Sequence, residues 1–159
     1  MRRVIQVIAV AAILLTSASA QSKQLSGVWR VTELTTTGEN ASTNSSPQPS
    51  QYIFTKKHYS VVAVTAKEPR SIADVSTATA DELRAVFGSG FAANSGTYEV
   101  KGDLLTMRPY VAKNPGFMQE GNFAVSKFKI EGDVLTLISH SNRQGPVANP
   151  TTTRLKRVE

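Results

Sequence analysis

The sequence predicts an all-β protein, with eight antiparallel strands running up and down into a small closed barrel and one short α-helix between the third and fourth strands. Two observations carry most of this expectation. The stretches Ser95–Met107 and Val125–Leu137 read as two copies of one hairpin, each alternating apolar with polar residues about a central Gly-Asp pair, Gly102-Asp103 and Gly132-Asp133. Alternation with period two gives a strand one buried and one wet face, and glycine accepts the positive φ that a two-residue hairpin turn demands. The second observation is a Gly27-Val28-Trp29 strand near the start, matched by a basic final strand.

Taken in order, the first strand is expected over Ser26–Leu34, with Gly27, Trp29 and Val31 on one face and Val28, Arg30 and Thr32 on the other. From Thr35 to Ser50 the chain is rich in Thr, Ser, Asn and Pro without apolar periodicity, which reads as a mobile loop. Strands over Gln51–Thr55 and His58–Thr65 follow around a turn near Lys56-Lys57. A two-residue turn there sets Phe54 against Tyr59 and Tyr52 against Val61. The helix is announced by Thr79-Ala-Asp-Glu82, the spacing of a capping box, with Leu83, Val86, Phe87 and Phe91 on one face and Gly88 and Gly90 at its end. It reads either as a seal on the barrel or as a lid over a pocket.

Pairing across the two Gly-Asp turns sets Val100 against Leu105, Tyr98 against Met107, Ile130 against Leu135 and Phe128 against Leu137. Those eight side chains face inward, and Glu99, Lys101, Thr106, Lys127, Lys129 and Thr136 face out. The last strand is Thr151–Val158. An eight-stranded barrel has an interior that side chains fill or that just holds one small ligand.

Residues 1–20 read as a cleaved secretory signal: a basic Met1-Arg2-Arg3 start, an apolar run from Val4 to Leu15, and Ala18-Ser19-Ala20 ahead of a cut before Gln21. The run is shorter than the ~20 residues of a spanning helix. The mature part, residues 21–159, is then one domain in the periplasm or outside the cell. Removing Arg2 and Arg3 takes the basic count from 18 to 16 against 12 acidic residues, a dispersed net charge of +4 that does not make a nucleic-acid surface. No cysteine is present, so one hydrophobic core must hold the fold without disulfides.

These residues resemble a known group, the bacterial exported proteins with a lipocalin-like domain. The pieces that carry the resemblance are Gly27-Val-Trp29-Arg30, Tyr52-Ile-Phe54-Thr55 with His58-Tyr59-Ser60, Ala93–Val100, and Thr106–Pro115. In lipocalins generally the tryptophan packs at the closed end of the barrel under an arginine from near the last strand. The resemblance therefore implies that Gly27, Trp29 and Arg157 close the barrel, with Arg154 as the second candidate for the arginine. The chain lacks the second loop motif of the better characterised lipocalins, and its helix lies between strands rather than after the barrel.

Chemistry is sparse. The only histidines, His58 and His140, fall at a turn and on an outward face, and no spacing of ligands suggests a metal or any other cofactor. Gly88-Ser89-Gly90 is one residue short of a nucleophile elbow, and the acids Asp103 and Asp133 belong to turns. The ligand-binding candidates are Tyr52, Phe54, Tyr59, Tyr98, Met107 and Phe128 as apolar walls or plain core, with Arg108, and beside it Lys113 and Arg143, to hold an acidic head group. Three functions follow in order of support: carriage of a small, largely apolar molecule inside the barrel; a solid barrel acting through its surface on a protein or envelope partner; and an isomerase or cyclase using Tyr98, Tyr59 and Arg108.

Overall fold

The computed structural model describes residues 24–39, 41–66, 69–70 and 74–159. The expected signal segment lies outside them. Among the described residues ten strands and one α-helix follow in chain order: β1 Gly27–Thr36, β2 Ser42–Asn44, β3 Gln51–Phe54, β4 His58–Val64, α1 Ala80–Phe87, β5 Phe91–Lys101, β6 Leu104–Ala112, β7 Ala124–Glu131, β8 Val134–Asn142, β9 Gly145–Pro146 and β10 Thr151–Arg157. A single 3₁₀ turn, Pro115–Met118, lies between β6 and β7.

Eight of these strands close the barrel in meander order, β1, β3, β4, β5, β6, β7, β8 and β10, with β10 pairing both β8 and β1. This is the architecture the alternation predicts. β2 pairs only with β1 and β9 only with β8, so both are ribbons on the rim. The Thr35–Ser50 stretch therefore departs from the loop expected of it. Thr35 and Thr36 extend β1, and Ser42–Asn44 folds back on Leu34–Thr36. Threonine is a good strand former whose hydroxyl needs no buried face. Here the Thr35 and Thr43 hydroxyls lie 3.4 Å apart, and Glu39 N–H donates to Asn149 Oδ1 at 3.2 Å.

The hairpin registers are those of the sequence: Val100 opposes Leu105, Tyr98 opposes Met107, Ile130 opposes Leu135, Phe128 opposes Leu137, Phe54 opposes Tyr59 and Tyr52 opposes Val61. Gly102 and Gly132 have φ of 62° and 58°, while Asp103 and Asp133 stay at negative φ. Glycine first and an ordinary residue second is the type II′ turn, whose twist suits two-residue hairpins.

The helix begins where the capping box put it. Thr79 Oγ1 accepts from Glu82 N–H, and the Glu82 carboxylate accepts from Thr79 N–H at 2.7 Å. Its buried face is narrower than the sequence suggests: Val86 is buried and Leu83 partly so, but Phe87 is exposed and Phe91 belongs to β5. Glycine at 88 ends the helix three residues before the chain becomes strand, so the four apolar residues never share one helical stripe.

The barrel has two unlike ends. At one end lie the short turns between β3 and β4, β5 and β6, and β7 and β8, together with residues 24–26 and 158–159. The other end carries the long connections, including α1 and residues 113–123. All six fully buried large side chains belong to one cluster, formed by Leu25, Trp29, Phe54, Leu105, Leu135 and Leu155. It fills the half of the barrel with the short turns.

Candidate functional site

The closed end is built on Trp29. Its indole Nε1–H donates to Leu25 O at 2.8 Å, which spares a buried donor the cost of going unpaired. The Arg157 guanidinium lies 4.0 Å above the ring and donates to the carbonyls of Ser26, at 2.7 Å, and Gln24. Gly27 sits beside it at φ 139°, where a Cβ would meet Glu159 O at 2.3 Å and the guanidinium at 2.5 Å. Trp29, Arg157 and Gly27 thus interlock the first strand with the last. Arg154 is exposed on the outer face of β10 and takes no part.

Tyr98 belongs to this half as well. Its hydroxyl donates to Thr55 O at 2.7 Å and is also engaged by Ser26, and its ring meets Phe54 edge-on with centroids 5.4 Å apart. Phe54, Tyr59 and Phe128 are buried in the same core. These four candidates are packing, with no open space of their own.

The other half of the barrel is open. A cavity of about 630 Å³, within the size range of small-molecule sites, has Tyr52, Val61, Met107 and Phe123 among its walls. A second space of about 350 Å³ reaches the rim on the far side of Tyr52, between Leu34, Ala63 and Thr153. Of the six apolar and aromatic sequence candidates, Tyr52 and Met107 face the cavity. Among the described residues the Tyr52 hydroxyl has no hydrogen-bond partner.

The mouth is lined by carboxamides: Asn94, Asn114, Asn122, Asn142, Gln119 and Gln144. Three of them spend one end on the backbone. Asn114 Oδ1 accepts from Gly116 N–H, Asn142 Oδ1 accepts from Gln144 N–H, and Asn122 Nδ2 donates to Phe117 O. Asn114 and Asn142 are left presenting N–H groups, and Arg143 is the only charged residue of the lining. Among the described residues it forms no ion pair. The cavity therefore has an apolar floor and a rim rich in donors, with a cation and no carboxylate.

Arg108 points elsewhere. Inward-facing Met107 precedes it, so strand alternation sends it to the outer face, where its guanidinium sits 5.9 Å from the centre of the Phe123 ring. Lys113 is engaged too, its ammonium donating to the carbonyls of Gly88 and Phe91. Of the three basic candidates only Arg143 reaches the cavity. Nothing in the sequence marks these carboxamides, because asparagine in a connection or near a strand end usually signals only a turn.

The phenols are poor bases. Burial raises the pKa of Tyr52, Tyr59 and Tyr98 above the usual tyrosine value, with the Tyr52 and Tyr110 charges adding to burial at Tyr59 and the Ser26 hydrogen bond opposing it at Tyr98. All three stay protonated at working pH, and the Tyr98 hydroxyl donates to Thr55 O. No helix among the described residues is long and apolar enough to cross a membrane, and no group of three or more His, Cys, Asp or Glu gathers there.

A closed eight-stranded meander, stoppered by a stacked Trp–Arg pair and hollow at the opposite end, defines a lipocalin-like β-barrel. The chain is similar to a solved lipocalin-like protein from Bacteroides uniformis ATCC 8492, at 14% sequence identity and a TM-score of 0.45, over 84% of this chain and 97% of that one. No protein-family model matches the sequence, and no curated protein matches it.

Proposed function

We propose that this protein is an exported binding protein that holds a small amphiphile with an acidic head group in the open half of its barrel. The observation that carries this reading is the division of the cavity lining: an apolar floor at Tyr52, Val61 and Met107, and a rim on which Arg143 is the one charge among donor-bearing carboxamides. The hydrocarbon part gains by leaving water for the floor. An anionic head gains charge-assisted hydrogen bonds from Arg143 and finds no carboxylate in the lining to repel it. Tyr52 offers a protonated hydroxyl between the two regions. The signal-like residues 1–20 support action in the periplasm or outside the cell.

The test is a fluorescence titration with 11-(dansylamino)undecanoic acid, alongside its methyl ester. Saturable one-to-one binding is expected, weakened about tenfold or more in Arg143→Gln and by a similar factor when the ester replaces the acid. Equal affinity for acid and ester would remove the head-group assignment, and absence of saturable binding would refute the carrier itself.

A further inference from the structure

The wall of the barrel is incomplete on one side. β6 pairs with β7 only from Leu104 to Met107, matched to Lys127 through Ala124, while β6 itself continues to Ala112 against β5 alone. Pro109 marks the change. It has no N–H to offer a neighbouring strand, so it suits the place where β6 loses that neighbour, and it sits beside the bulge at Ser95/Gly96.

Residues 114–123 cross the gap as a strap. Among the described residues its side chains and turns bond within the strap: Gly116 N–H to Asn114 Oδ1, Phe117 N–H to Asn114 O, Asn122 N–H to Gln119 O, and Asn122 Nδ2 to Phe117 O. The strap is thus a self-contained piece whose hydrogen bonds need not break for it to swing. Among the described residues its one attachment through a polar group is the contact of the Arg108 guanidinium with the Phe123 ring. Phe117 and Met118 remain 48% and 43% exposed on it, so the strap is not sunk into the core.

Outside the strap lies a further cleft of about 550 Å³, lined by Thr97, Arg108, Tyr110, Met118, Glu120 and Phe123 among others. Pro109, Gln119, Asn122 and Phe123 line both this cleft and the inner cavity. Three of those four residues belong to the strap. Lifting it therefore joins the outer cleft to the inner cavity through the side of the barrel.

We propose that the outer cleft is a second binding position for the same amphiphile, a vestibule from which the ligand passes sideways into the barrel when the 114–123 strap lifts, with Arg108 on Phe123 as the latch. This rests on the carrier reading above. The vestibule offers Tyr110, Met118 and Phe123 to a hydrocarbon chain, and the gap lets that chain reach Met107 without first threading past the carboxamide rim. Arg108 is a positioning residue here, because it acts through Phe123 and lies outside the cavity.

The chain has no cysteine, so two introduced thiols are the only ones a maleimide finds. Thr97→Cys with Glu120→Cys places one on β5 and one on the strap, across the vestibule, for bridging by a bis-maleimide. Stopped-flow binding of 11-(dansylamino)undecanoic acid is then compared before and after bridging, with each single-cysteine protein treated likewise. Bridging is expected to slow association and dissociation together by roughly tenfold or more while the Kd stays within about threefold, since a gate changes rates and leaves the bound state alone. Arg108→Gln is expected to speed both. Unchanged rates in the bridged protein, with the probe still bound, would overturn the side passage and leave the open mouth as the route. Failure of the unbridged protein to bind the probe would instead strike the carrier reading and take the passage with it.

Discussion

The two halves of this barrel use similar residues to opposite ends. In the half with the short turns, apolar side chains from opposite strands meet and the polar groups answer one another: the Trp29 N–H finds Leu25 O, and the Arg157 N–H groups find Ser26 and Gln24. In the open half Tyr52 and Met107 face space, and Arg143 and the mouth carboxamides keep unspent hydrogen-bonding capacity. A filled interior stabilises the fold, whereas an unfilled one with free donors forgoes packing and gains a place for a ligand. Substitutions should therefore separate cleanly, the first half showing its effects in stability and the second in binding.

The largest expected effect is at Trp29. Replacing it with alanine empties the base of the core and should cost ~3–5 kcal/mol in urea unfolding. A loss below about 1 kcal/mol would break the comparison at its strongest point. Arg157→Ala removes two charge-assisted hydrogen bonds and the cover over the indole, for about 2–3 kcal/mol. On the helix, Thr79→Ala removes the cap and should cost about 1 kcal/mol, read as faster amide exchange across Ala80–Phe87. In the open half, Phe117→Ala and Asn94→Ala should change stability by less than about 0.5 kcal/mol while altering binding of the dansyl acid.

The phenols of Tyr59 and Tyr98 give a pH test of the filled half. Their folded pKa values are raised, so the unfolded chain releases its protons first as pH climbs past the ordinary tyrosine value of 10.0. Their contribution is fully present below that pH and is lost above it, as pH rises toward the folded values. Unfolding midpoints should be insensitive to these groups at neutral pH and fall in alkali, and Tyr59→Phe should blunt that fall.

Much of the filled half was legible in the sequence, and little of the open half was. Period-two alternation around Gly102-Asp103 and Gly132-Asp133 fixes which residues face inward, and one inward residue fixes the rest of its strand. The same rule, carried one step further, places Arg108 outside once Met107 is inside. By contrast β2 is hidden because Ser42-Thr43-Asn44 buries nothing and so shows no alternation, and the first four residues of β5, Phe91–Asn94, are disguised by two alanines. The site residues Asn94, Asn114, Asn122 and Asn142 come from three separate stretches of chain: β5, the 114–123 strap and the end of β8. No local pattern joins them, because a closed barrel brings them together only after every strand has paired.

The claim that the two halves divide the work is tested most directly by amide and indole NMR during titration with 11-(dansylamino)undecanoic acid. The chain has one tryptophan, so the Trp29 indole N–H is a single resolved reporter of the closed end. The account predicts saturable shifts at Tyr52, Val61, Asn94, Met107, Asn142 and Arg143 with the indole signal unmoved. Shifts centred on Trp29 and Arg157, with the open half silent, would contradict it.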